Sequence, residues 1–311
     1  MKIVVVGLGG VGGVVGGRLA AGLSGNPDHE VVFWCRGKTL DAILNEGLHI
    51  LNNGGKTTVR PALATCTAAD IQGIDLLIFA TKGYHLDTAA RELAPAVTPK
   101  TAVIPLLNGV SAASILEERF PESDVLEGCI YISAHVEKPG TVRQVGTMQR
   151  IFFGKKGISE ADNRVRYGNI EQVLKKAGLN VTLTERIDVE VWSKFIFLSP
   201  FAGVTTLFGR SIDQVLSEEE SFETAGKMIR EIEELARAKN IDLPDNISHI
   251  TLEKARSFVP STKTSMQLDR EQGRPTELES LIGYVCKEGK ALGVPTPVYE
   301  RVYDSLKAVC K

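Results

Sequence analysis

The sequence predicts an α/β protein in two parts, the first built on a parallel sheet and the second all-α. Two observations carry that expectation. Apolar runs of strand length recur as far as Gly146 with helix-forming stretches between them, the pattern of β-α-β units. From Ile187 onward the apolar residues fall at helical spacing instead, as in "ESFETAGKMIREIEELARAKNI", where Ile229, Ile232, Leu235 and Ala236 share one stripe. The 311 residues also exceed the about 250–300 at which a single core stops growing. The expected domains are therefore 1–186 and 187–311.

The opening stretch, "MKIVVVGLGGVGGVVGGRLA", reads as a strand over Ile3–Val6, a glycine turn, and a helix running through Val14, Val15, Leu19 and Ala20. A secretory leader needs an unbroken apolar run, and Gly7, Gly9 and Gly10 interrupt this one after four residues. Strand, G-x-G-x-x-G and helix in that order make the Rossmann-type dinucleotide fingerprint. Gly7 suits the tight turn out of the strand, Gly9 lets the backbone approach a pyrophosphate, and Gly12 lets helix pack on strand. Gly7, Leu8, Gly9, Gly10, Val11 and Gly12 form the candidate cofactor loop, whose backbone N–H groups and helix dipole attract phosphates. A glycine-rich turn without a ligand is the alternative.

"HEVVFWCRGK" predicts a second strand, Glu30–Cys35, that ends at Arg36 with Lys38 two residues on. An NAD site places an acid there for the ribose 2′-hydroxyl, whereas a cation suits the 2′-phosphate of NADP. NADP(H) is the expected cofactor, against the alternatives of a merely solvated basic turn or NAD-linked oxidation. "DLLIFATKGYH" gives a strand, Leu76–Ala80, closing in Thr81-Lys82; "AVIPLLNGV" gives another, Val103–Leu107, closing in Asn108-Gly109. Ligands of open α/β sheets lie beyond such carboxyl ends, which makes Lys82 and Asn108 site candidates, although Asn-Gly is also a common turn. "LEGCIYISAHVEKPGTVRQVG" reads as a strand pair turning at Lys138-Pro139-Gly140.

In the helical part, Lys194 lies among Trp192, Phe195, Ile196, Phe197 and Leu198. Such a lysine either snorkels to solvent or, facing a cleft, serves as a proton donor whose pKa burial pulls toward neutrality. Glu277, after Pro275-Thr276, either complements a helix dipole or supplies charge near that lysine. "TELESLIGYVCKEGKALGV" and "VYERVYDSLKAVC" continue in helical style.

A net charge of −2 gives no reason to expect nucleic acid or an anionic membrane as partner. No run of about 18 uninterrupted apolar residues is present, so no membrane span is expected. Cys35, Cys66, Cys129, Cys286 and Cys310 are dispersed without a CxxC pair, which suits reduced thiols in the cytoplasm. The five histidines are dispersed too, and no metal is expected.

In order and spacing, the glycine turn, Arg36, "TKGYH", "LLNGV", the His135–Gly146 hairpin, "VWSK" and "TSMQLDREQGRPTELESL" resemble the ketopantoate reductase (2-dehydropantoate 2-reductase) family over nearly the whole chain. The resemblance implies NADPH-linked reduction of a small 2-oxo acid, 2-dehydropantoate to pantoate in the family's own reaction and a step toward pantothenate. It also implies a Rossmann domain followed by a helical domain resembling the C-terminal part of phosphogluconate dehydrogenase. Carried over by position, it makes Lys194 the proton donor to the carbonyl oxygen and Glu277 its acidic neighbour. Asn108 would lie close to the nicotinamide ribose and substrate, Ser265 would touch the substrate, and Arg36 and Lys82 would lie near the adenine-side phosphate. Pantoate-forming members carry asparagines four and eight residues after the lysine, where this chain has Leu198 and Ala202. Pro200 in the same stretch removes a helical backbone bond. Three expectations follow: reduction of 2-dehydropantoate, reduction of a different and more apolar 2-oxo acid, or an NADPH-binding sensor or scaffold without catalysis. A homodimer is expected as the commonest closed assembly.

Overall fold

The computed structural model describes residues 1–310. By its internal contacts the chain divides into two compact units: Met1–Leu107 with Ala112–Ile187, and Asn108–Ser111 with the chain from Asp188 onward.

The first unit begins with β1 (Lys2–Val6), α1 (Gly10–Gly22), β2 (Glu30–Trp34) and α2 (Gly37–Glu46). A hairpin of β3 (Leu48–Asn52) and β4 (Gly55–Val59) leads to β5 (Leu63–Thr65), β6 (Leu76–Phe79), α3 (Gly83–Leu93), β7 (Ala102–Pro105), α4 (Ala112–Arg119) and β8 (Asp124–Val125). The long antiparallel pair β9 (Glu127–Lys138) and β10 (Thr141–Gly154), then α5 (Glu160–Lys176) and β11 (Val181–Leu183), complete it. The strands end a residue or two earlier than the apolar runs do: β2 stops at Trp34, and Cys35 and Arg36 already belong to the turn.

Six strands pair in parallel in the order β5-β2-β1-β6-β7-β8. This is the doubly wound Rossmann order, which reverses between β1 and β6 and puts the carboxyl ends of β1, β2 and β6 around one crevice. Both sheet faces are covered. Ile3, Val5, Val31 and Phe33 enter one core with Leu19 and Leu174, while Val4, Val6, Val32 and Trp34 enter another with Leu86, Leu93 and Leu116. Burial on both faces is why these strands read as continuous apolar runs. A second sheet, ordered β11-β10-β3-β4 with β9 paired to β10, lies on the far side of α1.

Six of the 13 residues of α1 are glycine, a composition that disfavours a helix by about 1 kcal/mol per glycine relative to alanine. Packing explains them. A Cβ on Gly12 would stand 1.8 Å from the Gly7 carbonyl oxygen, toward the parallel sheet. On the opposite face, Cβ atoms on Gly13 and Gly17 would stand 2.5 Å from Val142 and 2.3 Å from Ile50 of the second sheet.

The second unit is helical: α6 (Ile187–Phe208), α7 (Ile212–Ser217), α8 (Glu219–Ala238), α9 (Ile247–Arg256), α10 (Ser265–Glu271), α11 (Tyr284–Leu292), entered through a wider π turn over Glu279–Gly283, and α12 (Pro297–Lys307). The predicted α8 stripe, Ile229, Ile232, Leu235 and Ala236, is buried against Phe195, Phe201 and Tyr299 in one core. By length and composition α6 alone among the described residues could cross a membrane, but 72% of its most apolar window is buried inside the molecule. It is the core helix of this unit. Pro200 does not interrupt it. Next to that proline, the Ser199 hydroxyl donates to the Leu281 carbonyl at 2.9 Å and pairs with the Tyr299 hydroxyl at 2.9 Å.

Replacement of Gly12 by alanine is expected to destabilise the protein by about 3 kcal/mol or more, because backbone rather than a mobile side chain occupies the space. Urea unfolding of the variant measures this, and a loss under about 1 kcal/mol would show that α1 can shift away from β1.

Candidate functional site

The glycine turn is built by local geometry. Gly7 leaves β1 at φ +86°, donates its N–H to the Trp34 carbonyl at 2.9 Å, and has Thr81 against the face where a Cβ would stand. Gly9 caps the N-terminus of α1 at φ −72°, which any residue adopts, and a Cβ there would meet nothing within 4 Å. Gly10, by contrast, is pressed against Ala134 of β9. Protein contacts therefore account for the glycines at 7, 10 and 12 but not at 9, where space is kept at a helix N-terminus. The Thr81 hydroxyl beside this turn is buried without a hydrogen-bond partner. Both features fit a bound pyrophosphate that needs close backbone approach and further polar contacts. Leu8 is 5% exposed and packs in the core, so it offers the loop only its backbone, and Val11 is half-buried.

Arg36 caps α2 immediately after β2, and no carboxylate stands between Cys35 and Lys38. Its guanidinium lies 5.1 Å over the Trp34 ring and pairs with Glu92 at 3.3 Å. Burial pushes the neighbouring Cys35 thiol up to about 12, which keeps it protonated and unreactive at neutral pH. Lys82 is the N-cap residue of α3 and is half-buried.

The second unit gathers three other candidates. Asn108 follows β7 in a four-residue segment, Asn108–Ser111, that belongs by contacts to the helical unit. Gly109, at φ +92°, lets this segment approach the Ser280 carbonyl, and Val110 packs on the helical core. The Lys194 Nζ of α6 donates to Asn108 Oδ1 at 3.1 Å, and Asn108 Nδ2 donates to Glu277 Oε2 at 3.3 Å. Glu277 is 4% exposed and stands just before the π turn, where its backbone carbonyl accepts from the Leu281 N–H at 3.0 Å. One amide orientation alone satisfies both neighbours, because a carbonyl oxygen can face an ammonium and an NH₂ group can face a carboxylate, but not the reverse.

Ser265 belongs to a different element, α10. It is exposed at the first position of α10, while the neighbouring Thr264 caps that helix by accepting from the Gln267 N–H at 3.3 Å. Leu198 and Ala202 continue the ridge of α6 that carries Lys194, one and two turns on, with Leu198 half-buried and Ala202 1% exposed. Sequence reasoning missed Glu92 and Thr81. Glu92 lies 56 residues from the arginine it pairs with and carries no local signal. Among the described residues no group of three His, Cys, Asp or Glu side chains could hold a metal ion.

The ketopantoate reductase PanE/ApbA family model matches residues 3–157, and the ketopantoate reductase PanE/ApbA C terminal model matches residues 186–310. The uncharacterized oxidoreductase YkpB of Bacillus subtilis (strain 168) is 30% identical over 307 residues, which cover 99% of this chain and 98% of that one. A 2-dehydropantoate 2-reductase of Mesorhizobium japonicum is 26% identical, covering 97% and 95% of the two chains. Among solved structures, a 2-dehydropantoate 2-reductase from Porphyromonas gingivalis W83 superposes with a TM-score of 0.86 at 30% identity, covering 99% of each chain.

If the space at Gly9 is kept for a ligand, Gly9→Ala will unfold within about 0.5 kcal/mol of the parent yet bind nicotinamide dinucleotide at least about tenfold more weakly. Fluorescence titration alongside urea unfolding separates the two effects, and undiminished binding would show that the turn is merely structural.

Proposed function

Because the chain belongs to the ketopantoate reductase family, whose members are oxidoreductases acting on a CH–OH group, we propose that it reduces a 2-oxo acid to the 2-hydroxy acid with NADPH, 2-dehydropantoate being the first substrate to test. The observation that carries the reading is the chain of hydrogen bonds from Lys194 through Asn108 to Glu277. When bound, NADPH supplies the hydride that reduces the carbonyl carbon. The protein has to manage the oxygen, on which negative charge grows as the carbon is reduced. An ammonium held in place both stabilises that charge and delivers the proton that neutralises it, and Lys194 takes this role. Asn108 fixes the position of Nζ, and Glu277, buried and accepting from the Asn108 amide, fixes Asn108. Ser265 at the start of α10 takes the role of a substrate contact.

The residues fit the cofactor in the same way. The loop from Gly7 to Gly12 would hold the pyrophosphate, and Arg36 with Lys82 would hold the adenine-side phosphate. Support for NADPH over NADH is the cation at the end of β2, where the sequence from Cys35 to Lys38 carries no acid to accept from a ribose 2′-hydroxyl.

The ridge of α6 supports a second reading of the substrate. Beyond Lys194 it carries half-buried Leu198 and, one turn further, core-buried Ala202, neither of which has a side chain able to hydrogen-bond a hydroxylated substrate. Each such partner is worth about 0.5–1.5 kcal/mol net. A 2-oxo acid with an apolar side chain loses nothing against this surface, and it is the alternative to 2-dehydropantoate.

Lys194→Ala is expected to lower kcat by about 10²–10⁴ while NADPH affinity stays within twofold of the parent, about the precision of the titration. Unchanged turnover would remove Lys194 from the reaction. NADPH oxidation followed across 2-oxo acids tests the substrate. High efficiency on 2-dehydropantoate supports the first reading, and silence there with turnover of an apolar 2-oxo acid supports the second.

A further inference from the structure

The pairing of Arg36 goes beyond a surface contact. Its two terminal nitrogens meet the two carboxylate oxygens of Glu92, Nη1 at 3.4 Å from Oε1 and Nη2 at 3.3 Å from Oε2, so the planar groups lie edge to edge. The guanidinium carbon is also stacked 5.1 Å over Trp34, a ring that is 2% exposed and therefore fixed. Arg36 and Glu92 remain 53% and 42% exposed, so a ligand can reach both. Glu92 lies one residue from the end of α3, at the negative pole of the helix dipole, where a carboxylate is disfavoured. The other acid of that helix, Asp87, is taken up by Arg91 and Arg119. Helix stability therefore gives no reason for an acid at Glu92, whereas its partner does.

We infer that Glu92 tunes cofactor discrimination: it competes with the 2′-phosphate of NADPH for the Arg36 guanidinium and thereby limits how strongly the site prefers NADPH over NADH. The inference rests on the proposed NADPH reading. A 2′-phosphate carries nearly two negative charges at neutral pH, as other phosphate monoesters do, and on reaching Arg36 it must share that group with a carboxylate already there. NADH brings only a neutral hydroxyl to the same place and meets no such opposition. Glu92 also helps to orient the guanidinium, an effect of opposite sign. The stack on Trp34 survives without Glu92, however, so little orientation is lost with the acid and the charge effect decides. Glu92 is a positioning residue in this scheme, since it acts on the cofactor through Arg36.

The test is titration of NADPH and of NADH, by quenching of protein fluorescence, into the full-length parent, Glu92→Gln, Arg36→Ala and the double variant at low and high salt, with unfolding midpoints recorded for all four. Glu92→Gln is expected to bind NADPH about fivefold more tightly and NADH unchanged, a gain that shrinks in high salt. The gain should vanish when Arg36 is already alanine. Unchanged or weaker NADPH binding by Glu92→Gln, with Arg36→Ala still lowering NADPH affinity selectively, overturns the inference and leaves the NADPH reading standing. If Arg36→Ala does not change the ratio of the two affinities, the NADPH reading fails and the inference falls with it.

Discussion

Helix α1 must lie against two sheets at once, and at several positions the space left on either side admits no more than a hydrogen atom. Most of what is distinctive about the first unit follows from that fit. The glycines weaken the helix as a helix, by about 1 kcal/mol each. Close contact then lets Val14, Val15 and Leu19 reach full burial, each worth about 1.5–3 kcal/mol. Because α1 is fixed on both sides, the turn that enters it is fixed as well. Gly7 is held by Trp34 and Thr81, Gly12 lies on the Gly7 carbonyl, and the Gly9 backbone is presented at the helix N-terminus with open space before it. The arrangement is rigid before any ligand arrives, so binding there carries little ordering cost.

The second unit solves a different problem, the placement of a charged amine on its most apolar helix. Asn108 links the amine to a buried carboxylate: its carbonyl oxygen accepts from Lys194 and its NH₂ group donates to Glu277, so each end of the amide dipole faces the charge it suits. Asn108 takes one of the three ammonium protons. The short segment carrying Asn108 is held by backbone and apolar contacts, through Gly109 on the Ser280 carbonyl and Val110 in the core.

Much of this was legible in the sequence. The strand and glycine turn at Gly7–Gly12, the basic end of β2 and the helical stripe of α8 each carry a local signal that the fold repeats. The hairpin of β3 and β4 was not legible, because it places buried Leu48, His49 and Ile50 in succession and then an exposed run from Gly55 to Thr58, which is neither strict alternation nor a buried run. Strand β11 and the two-residue β8 are too short to register. In the site, the residue types at Lys194, Asn108 and Glu277 could be singled out, but the order of their bonding is a long-range property, spanning 86 and 169 residues. The reason for glycine at each position of α1 was only partly readable, since the second sheet that demands Gly13 and Gly17 is assembled from distant strands.

Helix α6 shows why one element can look like a membrane span and still carry polar chemistry. Its hydropathy comes from faces buried in the helical core, by Phe195, Ile196, Phe201 and Val204, while Glu190, Lys194 and Leu198 lie half-buried along one ridge. Polarity is cheap on that ridge and expensive elsewhere. A side-chain amide at Leu198 would keep partial contact with solvent, whereas one at Ala202, which is 1% exposed within the core, would need a partner built for it or would forfeit about 1–3 kcal/mol. The two positions are therefore not equivalent as determinants of substrate. Leu198 is half-buried at the edge of the core, so a polar residue there gives up only part of an apolar contact, while Ala202 is tied to the packing around it. A change of substrate class along this helix is physically easiest at the turn nearest the lysine.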